Sequence, residues 1–328
     1  MSFVSVVIPC YNEEKHIQNV LNAIISQEFP KDKLEILVVD GGSTDKTQKL
    51  LREWANQNPF INFRILNNTN KNIPSALNIG IRESKGGIIV RMDAHSIPEK
   101  DYLALCIKHL DQGLADNVGG RWIIIPGSDT WISHAIAQAA AHPLGVGDAK
   151  YRYSDQAEFV DTVPFGAFNK EIFTKIGLFD ETLLTNEDYE VNTRIRKAGG
   201  KIYFDPLIKT KYVARSTLSE LSKQYWRYGL WKFKMLKKYP DTIRWRQALP
   251  PMMVIGTLSL LFLSIFLSIA WIGLLSLLGI YFIVLMLGAL SVVKKTKRLS
   301  LLIGVPLAII VMHFSWGAGF LCSPLKQS

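Results

Sequence analysis

The stretch Ile88-Ile-Val-Arg-Met-Asp-Ala-His95 decides the fold, because within it an apolar run gives way to polar residues. The apolar start is typical of a buried strand in a parallel sheet. Asp93 and His95 then fall at the carboxyl end of that strand, where open α/β sheets bind their ligands. A carboxylate and an imidazole two residues apart can both face one metal ion and its diphosphate ligand. The alternative is an Asp93 that only caps the turn before Pro98.

Apolar runs and helical patterns alternate in the residues before this stretch. From Ile17 to Ile24, for example, the apolar residues have the spacing of one buried helix face. The predicted strands are Val4–Ile8, Leu34–Val39, Phe63–Leu66 and Ile88–Met92, and Val118–Ile125 is a fifth beyond them. This βαβα order predicts an α/β fold with a mostly parallel sheet and helices on both faces.

The end of the chain has the composition of a membrane region, which we assign to 250–328. Met252–Val293 carries no charged residue and is about twice as long as the roughly 20 residues that one crossing helix needs. A second uncharged run, Leu299–Pro324, follows the basic segment Lys294–Arg298. We predict three transmembrane helices, over 251–270, 273–293 and 299–321. A buried helical hairpin in a soluble core is the alternative.

The basic segment between the predicted helices sets the orientation of the chain. The positive-inside rule places Lys294–Arg298 in the cytoplasm, and with three crossings residues 1–249 lie on the same side. The sequence therefore predicts a multi-pass protein of the inner (cytoplasmic) membrane, with a cytoplasmic domain over 1–215. The three cysteines are too few and too far apart for a disulfide framework or a zinc site, which agrees with a reducing compartment.

A basic and aromatic segment, 216–249, joins these two predicted regions. The net charge of the chain is +10, and Lys201–Pro250 holds twelve basic but only three acidic residues. Aromatic side chains such as Trp226 alternate with these cations, as they do in amphipathic helices that lie among lipid headgroups. Such charge can also attract nucleic acid. Its position before the apolar runs favours membrane lipids or a lipid diphosphate instead, and we expect no nucleic acid partner.

Several polar residues follow the predicted strands and could bind a nucleotide. A base needs a stacking face and an acceptor for its ring N–H, which Tyr11 and Asp40 offer. Asp93 and His95 could hold a divalent cation against a diphosphate, so that the leaving group departs with its charge offset. Arg91 is a second candidate to offset the charge of the diphosphate, unless its side chain points outward from the strand.

The pair Glu187-Asp188 opens a predicted helix about a hundred residues later. Backbone N–H groups at a helix N-terminus stabilise a carboxylate as the anion, so a role in helix capping is the simpler interpretation. An ionised Asp188 that faces the site could instead take a proton from an attacking hydroxyl as a general base. The residues alone leave both interpretations open.

Four motifs follow one another along the chain: Ser5-Val-Val-Ile-Pro-Cys-Tyr-Asn-Glu-Glu14, Val38-Val-Asp-Gly-Gly-Ser-Thr-Asp45, Met92-Asp-Ala-His95 and Asn186-Glu-Asp188. In order and spacing they resemble the signatures of family 2 glycosyltransferases, and the resemblance extends over about residues 3–235. It implies a GT-A fold, a Rossmann-like α/β sheet, over 1–215. The chain is most similar to the succinoglycan-type exopolysaccharide glucosyltransferases, through Met92–His95, Gln224–Gly229 and His313–Phe320.

The resemblance carries family roles over to single residues. The positions that match nucleoside-binding residues are Pro9, Tyr11, Glu13 and Asp40. Asp93 matches the first Asp of the DxD motif, which touches nucleotide and metal. We expect Arg91, close to Asp93, to bind the donor nucleotide as well. Asp188 matches the catalytic base. His95 stands where the second Asp of DxD is usual, so its role as a metal ligand is inferred from position and ligand chemistry.

A further motif concerns the acceptor and the diphosphate. Gln224 and Arg227 resemble the QxxRW element, with Tyr228 where Trp is usual, which leaves open whether the enzyme is processive. We expect Glu187 and Trp231 in the same region.

The resemblance implies an inverting glycosyltransferase that needs Mn²⁺ or Mg²⁺. Its donor is expected to be a UDP-sugar of glucose or a related hexose. The acceptor is expected to be a polyprenyl-diphosphate-linked glycan in the assembly of an exopolysaccharide or another surface glycan. A homo-oligomer could form through the membrane helices, where Gly317 and Gly319 favour close packing against another helix or subunit.

Other functions compete with this interpretation. A polyprenyl-phosphate glycosyltransferase has the same fold, although Gln224–Arg227 argues against it. A processive polysaccharide synthase usually has more than three crossings. A non-catalytic sugar-nucleotide-binding scaffold would have no need of Asp188. A dinucleotide-binding dehydrogenase is disfavoured because no G-x-G-x-x-G motif follows the first strand.

Overall fold

The computed structural model describes residues 2–242 and 244–326. Its strands are β1 Val4–Cys10, β2 Leu34–Asp40, β3 Asn62–Asn67, β4 Ile88–Arg91, β5 Ile97–Pro98, β6 Asn117–Ile125, β7 Glu158–Phe159, β8 Ala167–Asn169 and β9 Ile202–Val213. Its α-helices are α1 Ile17–Ile25, α2 Thr47–Gln57, α3 Ile73–Glu83, α4 Tyr102–Asp111, α5 Trp131–Ala140, α6 Pro143–Val146, α7 Ile172–Ile176, α8 Glu187–Lys197, α9 Leu218–Lys238, α10 Trp245–Leu263, α11 Ile269–Thr296 and α12 Leu301–Cys322.

The chain divides into two compact units. The first comprises Met1–Ile123 and Tyr153–Tyr212, and the second comprises Ile124–Arg152 and Val213–Ser328. Chain order therefore does not separate the two units, because a segment from the middle of the sequence folds together with the carboxyl-terminal helices.

The described strands of the chain form one mixed sheet in the order β3-β2-β1-β4-β8-β6-β9-β5, with β7 beside β9. The strands β3, β2, β1 and β4 are parallel, whereas β8 pairs antiparallel with both β4 and β6. The parallel strands are the first four that the sequence predicts, and the fifth predicted strand, Val118–Ile125, is β6. This GT-A-like sheet confirms the predicted fold class. Its antiparallel half contains the long strands β6 and β9 together with β5, β7 and β8, which have two or three residues each and are too short for a sequence pattern to reveal.

Burial on both faces explains why the central strands consist mostly of apolar residues. Every residue of β1, β2 and β4 is buried. The register pairs Cys10 with Asp40, so the ends of β1 and β2 lie side by side. Helices α1, α2 and α4 supply Val20, Trp54 and Ile107 to the same apolar core. Each large side chain buried in this way stabilises the fold by about 1.5–3 kcal/mol.

The second unit is a helical assembly in which glycines permit close contact. A Cβ at Gly229 of α9 would overlap the carbonyl oxygen of Trp316 in α12. A Cβ at Gly319 of α12 would likewise overlap the carbonyl oxygen of Trp226, and one at Gly317 would lie 2.5 Å from that of Pro250. The two glycines that the sequence predicts to pack against a helix or subunit thus contact α9 and α10 of their own chain.

Two of the described helices, α11 and α12, are long and apolar enough to cross a membrane. The apolar part of α10, Gln247–Leu263, is shorter. The turn between α10 and α11 occupies the residues from Ser264 to Ser268, ahead of the predicted helix boundary near 271–273. The few polar residues of this uncharged run do not mark the turn, since Ser259 and Ser276 lie inside helices while Ser264 and Ser268 bound the turn. The prediction of three crossings remains a prediction.

Candidate active site

The loops after β1 and β2 meet at the carboxyl edge of the parallel strands. The Gly41 amide donates a 2.8 Å hydrogen bond to the Cys10 carbonyl. The Tyr11 ring covers Gly41, where a Cβ would lie 3.2 Å from the ring, and the ring remains 47% exposed. Pro9, one residue before the end of β1, is buried and pairs with Val39. Tyr11 is therefore the member of this group that offers an open face to a ligand.

Asp40 ends β2, and only 3% of its surface is exposed. Its Oδ1 accepts a 2.5 Å hydrogen bond from the Ser43 hydroxyl. Its Oδ2 accepts bonds from the Ser43 amide at 3.1 Å and the Gln48 side-chain amide at 2.8 Å. The loop after β2 and the first turn of α2 thus fix the orientation of the carboxylate. A cavity of about 160 Å³ is lined by Asp40, Gln48, Arg52, Ile65, Leu66 and Asn67.

Side chains of the second loop also hold the first. Asn12 has a left-handed backbone (φ +54°), its amide donates to the Ser43 hydroxyl at 2.8 Å, and its side-chain oxygen accepts from the Thr44 amide at 2.8 Å. The Glu13 amide donates to the Thr47 hydroxyl at 2.8 Å. These ties link the nucleoside-binding residues that the sequence predicts in separate motifs.

Glu13 and His95 lie together, which the sequence does not predict. The Nδ1 atom of His95 is 3.1 Å from Oε1 of Glu13. The His95 side chain is 43% exposed, while that of Glu13 is 20% exposed. The end of β1 and the turn after β4 are thereby joined through side chains that can both bind a cation.

Arg91, the last residue of β4, is the centre of a charged cluster. It is only 3% exposed, so it does not point outward. Its Nη2 is 2.9 Å from a Glu187 oxygen and 3.3 Å from Oδ1 of Asp93, and its Nη1 contacts the carboxylate of Asp188. Burial disfavours the charge on Arg91, but the three carboxylates outweigh it and raise the pKa of the guanidinium. One arginine therefore joins the end of β4 to the start of α8.

The start of α8 presents Glu187 and Asp188 to this arginine. Asn186 precedes the helix in a left-handed conformation (φ +68°), which turns the chain sharply into its first turn. The Glu187 side chain is 9% exposed and that of Asp188 is 28% exposed. Burial raises the pKa of Asp188 to about 7; Arg91 opposes this effect, and the nearby carboxylates Glu187 and Asp93 add to it. Asp188 can therefore exchange a proton near neutral pH.

The donor set for a metal ion is small. No group of three or more His, Cys, Asp or Glu side chains that could hold a metal occurs in residues 2–242 and 244–326. Asp93, whose side chain is 22% exposed, and His95 lie two residues apart and offer an oxygen and a nitrogen atom that could bind a cation. Mg²⁺ is commonly held by one or two carboxylates together with substrate phosphates. The residues present fit a cation that binds together with a diphosphate.

The remaining predicted residues lie on α9, in the second unit. Gln224 donates to the Tyr228 hydroxyl at 2.9 Å, and the Trp231 ring lies 4.3 Å from the Lys234 ammonium. Arg227 belongs to the same helix. The first unit contains the other predicted site residues: Pro9, Tyr11, Glu13, Asp40, Arg91, Asp93, His95, Glu187 and Asp188.

Sequence reasoning does not identify the polar residues that orient the predicted ones. Ser43 is part of the motif Val38–Asp45, so its place three residues after Asp40 could have indicated a contact with that carboxylate. Thr47 and Gln48 lie beyond that motif inside α2, where a polar residue normally indicates only a solvated helix face. Their roles depend on contacts between loops that are far apart in the sequence.

Comparison with known proteins gives consistent results. The model of the family described as glycosyl transferase family 2 matches residues 5–177. The dolichyl N-acetyl-alpha-D-glucosaminyl phosphate 3-beta-D-2,3-diacetamido-2,3-dideoxy-beta-D-glucuronosyltransferase of Methanococcus voltae is 31% identical, over 99% of this chain and 98% of its own length. The succinoglycan biosynthesis protein ExoA of Rhizobium meliloti is 27% identical, over 96% and 93%.

A solved structure shares the fold. The mannosyltransferase PcManGT of Pyrobaculum calidifontis, in complex with GDP-Man and Mn²⁺, superposes with a TM-score of 0.69. The match covers 100% of this chain and 88% of the other, at 20% identity. At that identity the likeness concerns the fold alone.

Proposed function

The chain belongs to glycosyl transferase family 2, and we propose that it transfers glucose or a related hexose from a UDP-sugar to a polyprenyl-diphosphate-linked acceptor. Its general activity, transfer of a sugar from a nucleotide sugar, follows from the family. Support for a lipid-linked acceptor comes from the name of the Methanococcus relative, which specifies a dolichyl-linked sugar phosphate. The similarity to ExoA supports a role in exopolysaccharide or other surface glycan assembly.

The observation that carries the proposal is the cluster around Arg91. One buried guanidinium holds Asp93, the predicted donor-side residue, and Asp188, the predicted base. An acid whose pKa is about 7 is suited to general-base catalysis, because it is substantially ionised at neutral pH and still accepts a proton readily. A carboxylate that served only as a helix cap would not need a contact with a buried arginine that also contacts Asp93.

The proposed reaction is a single in-line displacement. The acceptor hydroxyl oxygen attacks C1 of the donor sugar while Asp188 takes the hydroxyl proton. The bond between C1 and the diphosphate oxygen breaks, UDP leaves with the electron pair, and the anomeric centre is inverted. General-base assistance of this kind contributes about 10²–10⁴-fold to the rate.

The other residues bind and orient the reactants. We assign the nucleoside to Tyr11, which supplies the stacking face, and to Asp40, which accepts from the ring N–H. Asp93 and His95 would hold Mn²⁺ or Mg²⁺, which offsets the charge of the leaving diphosphate when bound. Arg91 holds Asp188 in place, and a direct contact of Arg91 with the diphosphate stays a prediction.

We further propose that the protein is a multi-pass protein of the cytoplasmic membrane with its GT-A domain in the cytoplasm. The apolar helices α11 and α12, separated by the basic residues Lys294–Arg298, support this placement. In this arrangement α9 lies among the lipid headgroups, and Gln224, Arg227 and Trp231 face the acceptor and its diphosphate.

The test is UDP release by the purified full-length protein in detergent, with a panel of UDP-sugars, a polyprenyl-diphosphate-linked acceptor, and Mn²⁺ or EDTA. We expect metal-dependent release with one donor, and a loss of at least about 10²-fold in the Asp188→Asn variant with UDP binding retained. The matched control is Asp111→Asn, an exposed carboxylate at the end of α4. If Asp188→Asn keeps full turnover, Asp188 is only a helix cap and the proposed base is wrong.

A further inference from the structure

The residues before α8 are held by a buried side chain of α3, Asn78, which is only 2% exposed. Its Nδ2 donates a 2.9 Å hydrogen bond to the Phe179 carbonyl oxygen and a 2.8 Å bond to Oε1 of Glu181. Its Oδ1 accepts a 2.8 Å bond from the Phe179 amide. One side chain thus satisfies both backbone groups of Phe179, which lies 101 positions later in the chain.

The Phe179 side chain is fixed as well. It is only 4% exposed, and its ring centroid lies 5.9 Å from that of Phe173 in α7 and 6.4 Å from that of Phe168 in β8. Phe168 pairs with Ile89 of β4, the strand that ends in Arg91. Phe179 is therefore tied by its backbone to α3 and by its ring to the strand beside that of Arg91.

Arg194, in the last turn of α8, binds the three residues that precede Phe179. Its Nη1 donates to the carbonyl oxygens of Ile176 at 2.6 Å and Gly177 at 3.0 Å, and its Nη2 donates to that of Leu178 at 2.8 Å. The planar fork of a guanidinium suits such a set of acceptors. Residues 176–178 and α8 are therefore joined by one side chain.

Glu190 orients this arginine from within α8. It is fully buried, and its carboxylate accepts from Nε of Arg194 at 2.6 Å and from Nη2 at 2.7 Å. The segment 176–181, which we call the bracket segment, is thus bonded to α8 through Arg194 and to α3 through Asn78. Glu190 and Asp188 both belong to the first turn of α8, so the turn that carries the proposed base is fixed to the same frame.

We propose that Asn78 is a positioning residue for sugar transfer: by holding the bracket segment it fixes the backbone of α8, and with it the place of the Asp188 carboxylate relative to the donor. Arg91 contacts the carboxylate itself, whereas Asn78 acts on the helix that carries it. A general base must lie within hydrogen-bond reach of the proton that it takes, so a displaced helix slows the chemical step. The inference rests on the proposed function for the role of Asp188.

The test compares Asn78→Ala with Gln27→Ala, a closely matched control. Gln27 follows α1 and is 4% exposed; like Asn78 it donates two hydrogen bonds, to the carbonyls of Ala23 and Glu99, and accepts one, from the Leu103 amide. Because each variant removes three hydrogen bonds of a buried side-chain amide, we expect similar drops in the thermal midpoint of the full-length protein in detergent. Gln27 has no bond to the bracket segment, so only Asn78→Ala should affect catalysis.

The first readout is initial-rate kinetics with the UDP-sugar that supports UDP release and a polyprenyl-diphosphate-linked acceptor. We expect Asn78→Ala to lower kcat about tenfold with the donor KM unchanged, since a displacement of about 1 Å at a reacting group can cost about 10²-fold. Gln27→Ala should keep the wild-type kcat. An unchanged kcat in Asn78→Ala, or equal losses in the two variants, would overturn the positioning role.

A double variant shows whether Asn78 acts through Asp188. In the Asp188→Asn background the base is already missing, so the addition of Asn78→Ala should leave the residual kcat unchanged. A further loss as large as the one that Asn78→Ala causes alone would show that Asn78 acts on another step, and would refute the inference.

Arg194→Lys tests the other attachment of the bracket segment with less risk to folding. The ammonium can keep the ion pair with Glu190, but it cannot reproduce the planar fork that binds three carbonyl oxygens. We expect the same separation of effects, a lower kcat at an unchanged donor KM. Should Asn78→Ala fail to fold, this variant decides, and a wild-type kcat in Arg194→Lys would contradict the positioning role of the bracket segment.

Amide hydrogen exchange in peptides that cover 176–190 needs no activity. We expect faster exchange in Asn78→Ala than in Gln27→Ala or the wild type. Equal exchange in the two variants refutes the attachment itself, and faster exchange with an unchanged kcat refutes only the positioning role. If Asp188→Asn keeps full turnover, the proposed base is wrong, while the exchange result still decides whether Asn78 holds the bracket segment.

Discussion

The charged cluster around Arg91 and the glycine contacts between α9 and α12 hold their surroundings together by opposite means. In the first, a buried cation contacts three carboxylates, and their negative charges stabilise the charge of the Arg91 guanidinium. In the second, neutral backbone atoms touch because Gly229 and Gly319 have no side chains. The first arrangement is electrostatic and sensitive to protonation, whereas the second is steric. The two regions should therefore respond differently to substitution and to pH.

The largest effect should follow removal of the central cation. Arg91→Met leaves three buried or half-buried carboxylates without their partner, and breaking a buried ion pair in this way costs about 3–5 kcal/mol. Urea unfolding followed by circular dichroism should show this loss. The exposed Arg82→Met at the end of α3 is the matched control and should leave the free energy of unfolding unchanged. A loss below about 1 kcal/mol in Arg91→Met would mean that the cluster is not an electrostatic unit.

The second effect concerns pH. An acid whose pKa is raised loses its charge as the pH falls through that value, so Asp188 is ionised above about pH 7 and protonated below it. Because the base must be ionised to accept a proton, kcat/KM should fall about tenfold per pH unit below pH 7. The measurement is a rate profile from pH 5 to 9 at fixed ionic strength. A profile that stays flat down to pH 5 would show that Arg91 keeps Asp188 at its ordinary pKa.

The third effect tests the steric contact in the second unit. Gly319→Ala places a methyl group against the carbonyl oxygen of Trp226, and overpacking of this kind costs about 1–3 kcal/mol. Thermal unfolding in detergent should show a lower midpoint that does not vary between pH 6 and 8. The control is Gly279→Ala in α11, where no neighbouring atom lies within 4 Å of the new methyl group. Equal midpoints for the two variants would contradict close contact between α9 and α12.

The smallest effect concerns the polar ties beside Tyr11. Ser43→Ala removes the hydroxyl that donates to Asp40 and accepts from the Asn12 amide. We expect the donor KM to rise about three- to tenfold, since each lost hydrogen bond contributes about 0.5–1.5 kcal/mol. Ser26→Ala, which removes an exposed hydroxyl bonded within the turn of α1, should have no effect. A raised acceptor KM with an unchanged donor KM would show that this loop does not hold the nucleotide.

The same contrast explains what the sequence could predict. The apolar runs of β1, β2 and β4 identify the parallel strands, and the strand ends then identify Asp40 and Asp93. The alternation of side chains along a strand does not show whether the Arg91 side chain points into the protein or outward. Its inward direction was therefore not predictable. The partners of Asp188 were not predictable either, because they come from a strand about a hundred residues earlier in the chain.

In the second unit, composition predicts apolar helices but not their arrangement. The turn from Ser264 to Ser268 lies in an uncharged run whose serines also occur inside α10 and α11, so serine does not mark the boundary. The hydrogen bond from His313 to Leu144 joins residues 169 positions apart, and no local pattern predicts such a pair. Gly317 and Gly319 could be recognised as packing residues, but their partners on α9 and α10 could not.

The glycine contacts have a practical consequence for attempts to make a water-soluble form of this enzyme by deleting the apolar helices α10, α11 and α12. A chain cut before Pro250 would keep α9 but lose the backbone atoms of Trp316 and Phe320 that cover Gly229. Tyr225 and Leu221 pack in the same apolar cluster as α12, and without α12 their side chains would become exposed to water. Truncation should therefore yield an aggregating protein rather than a soluble one, and detergent or nanodisc purification of the intact chain is the better route.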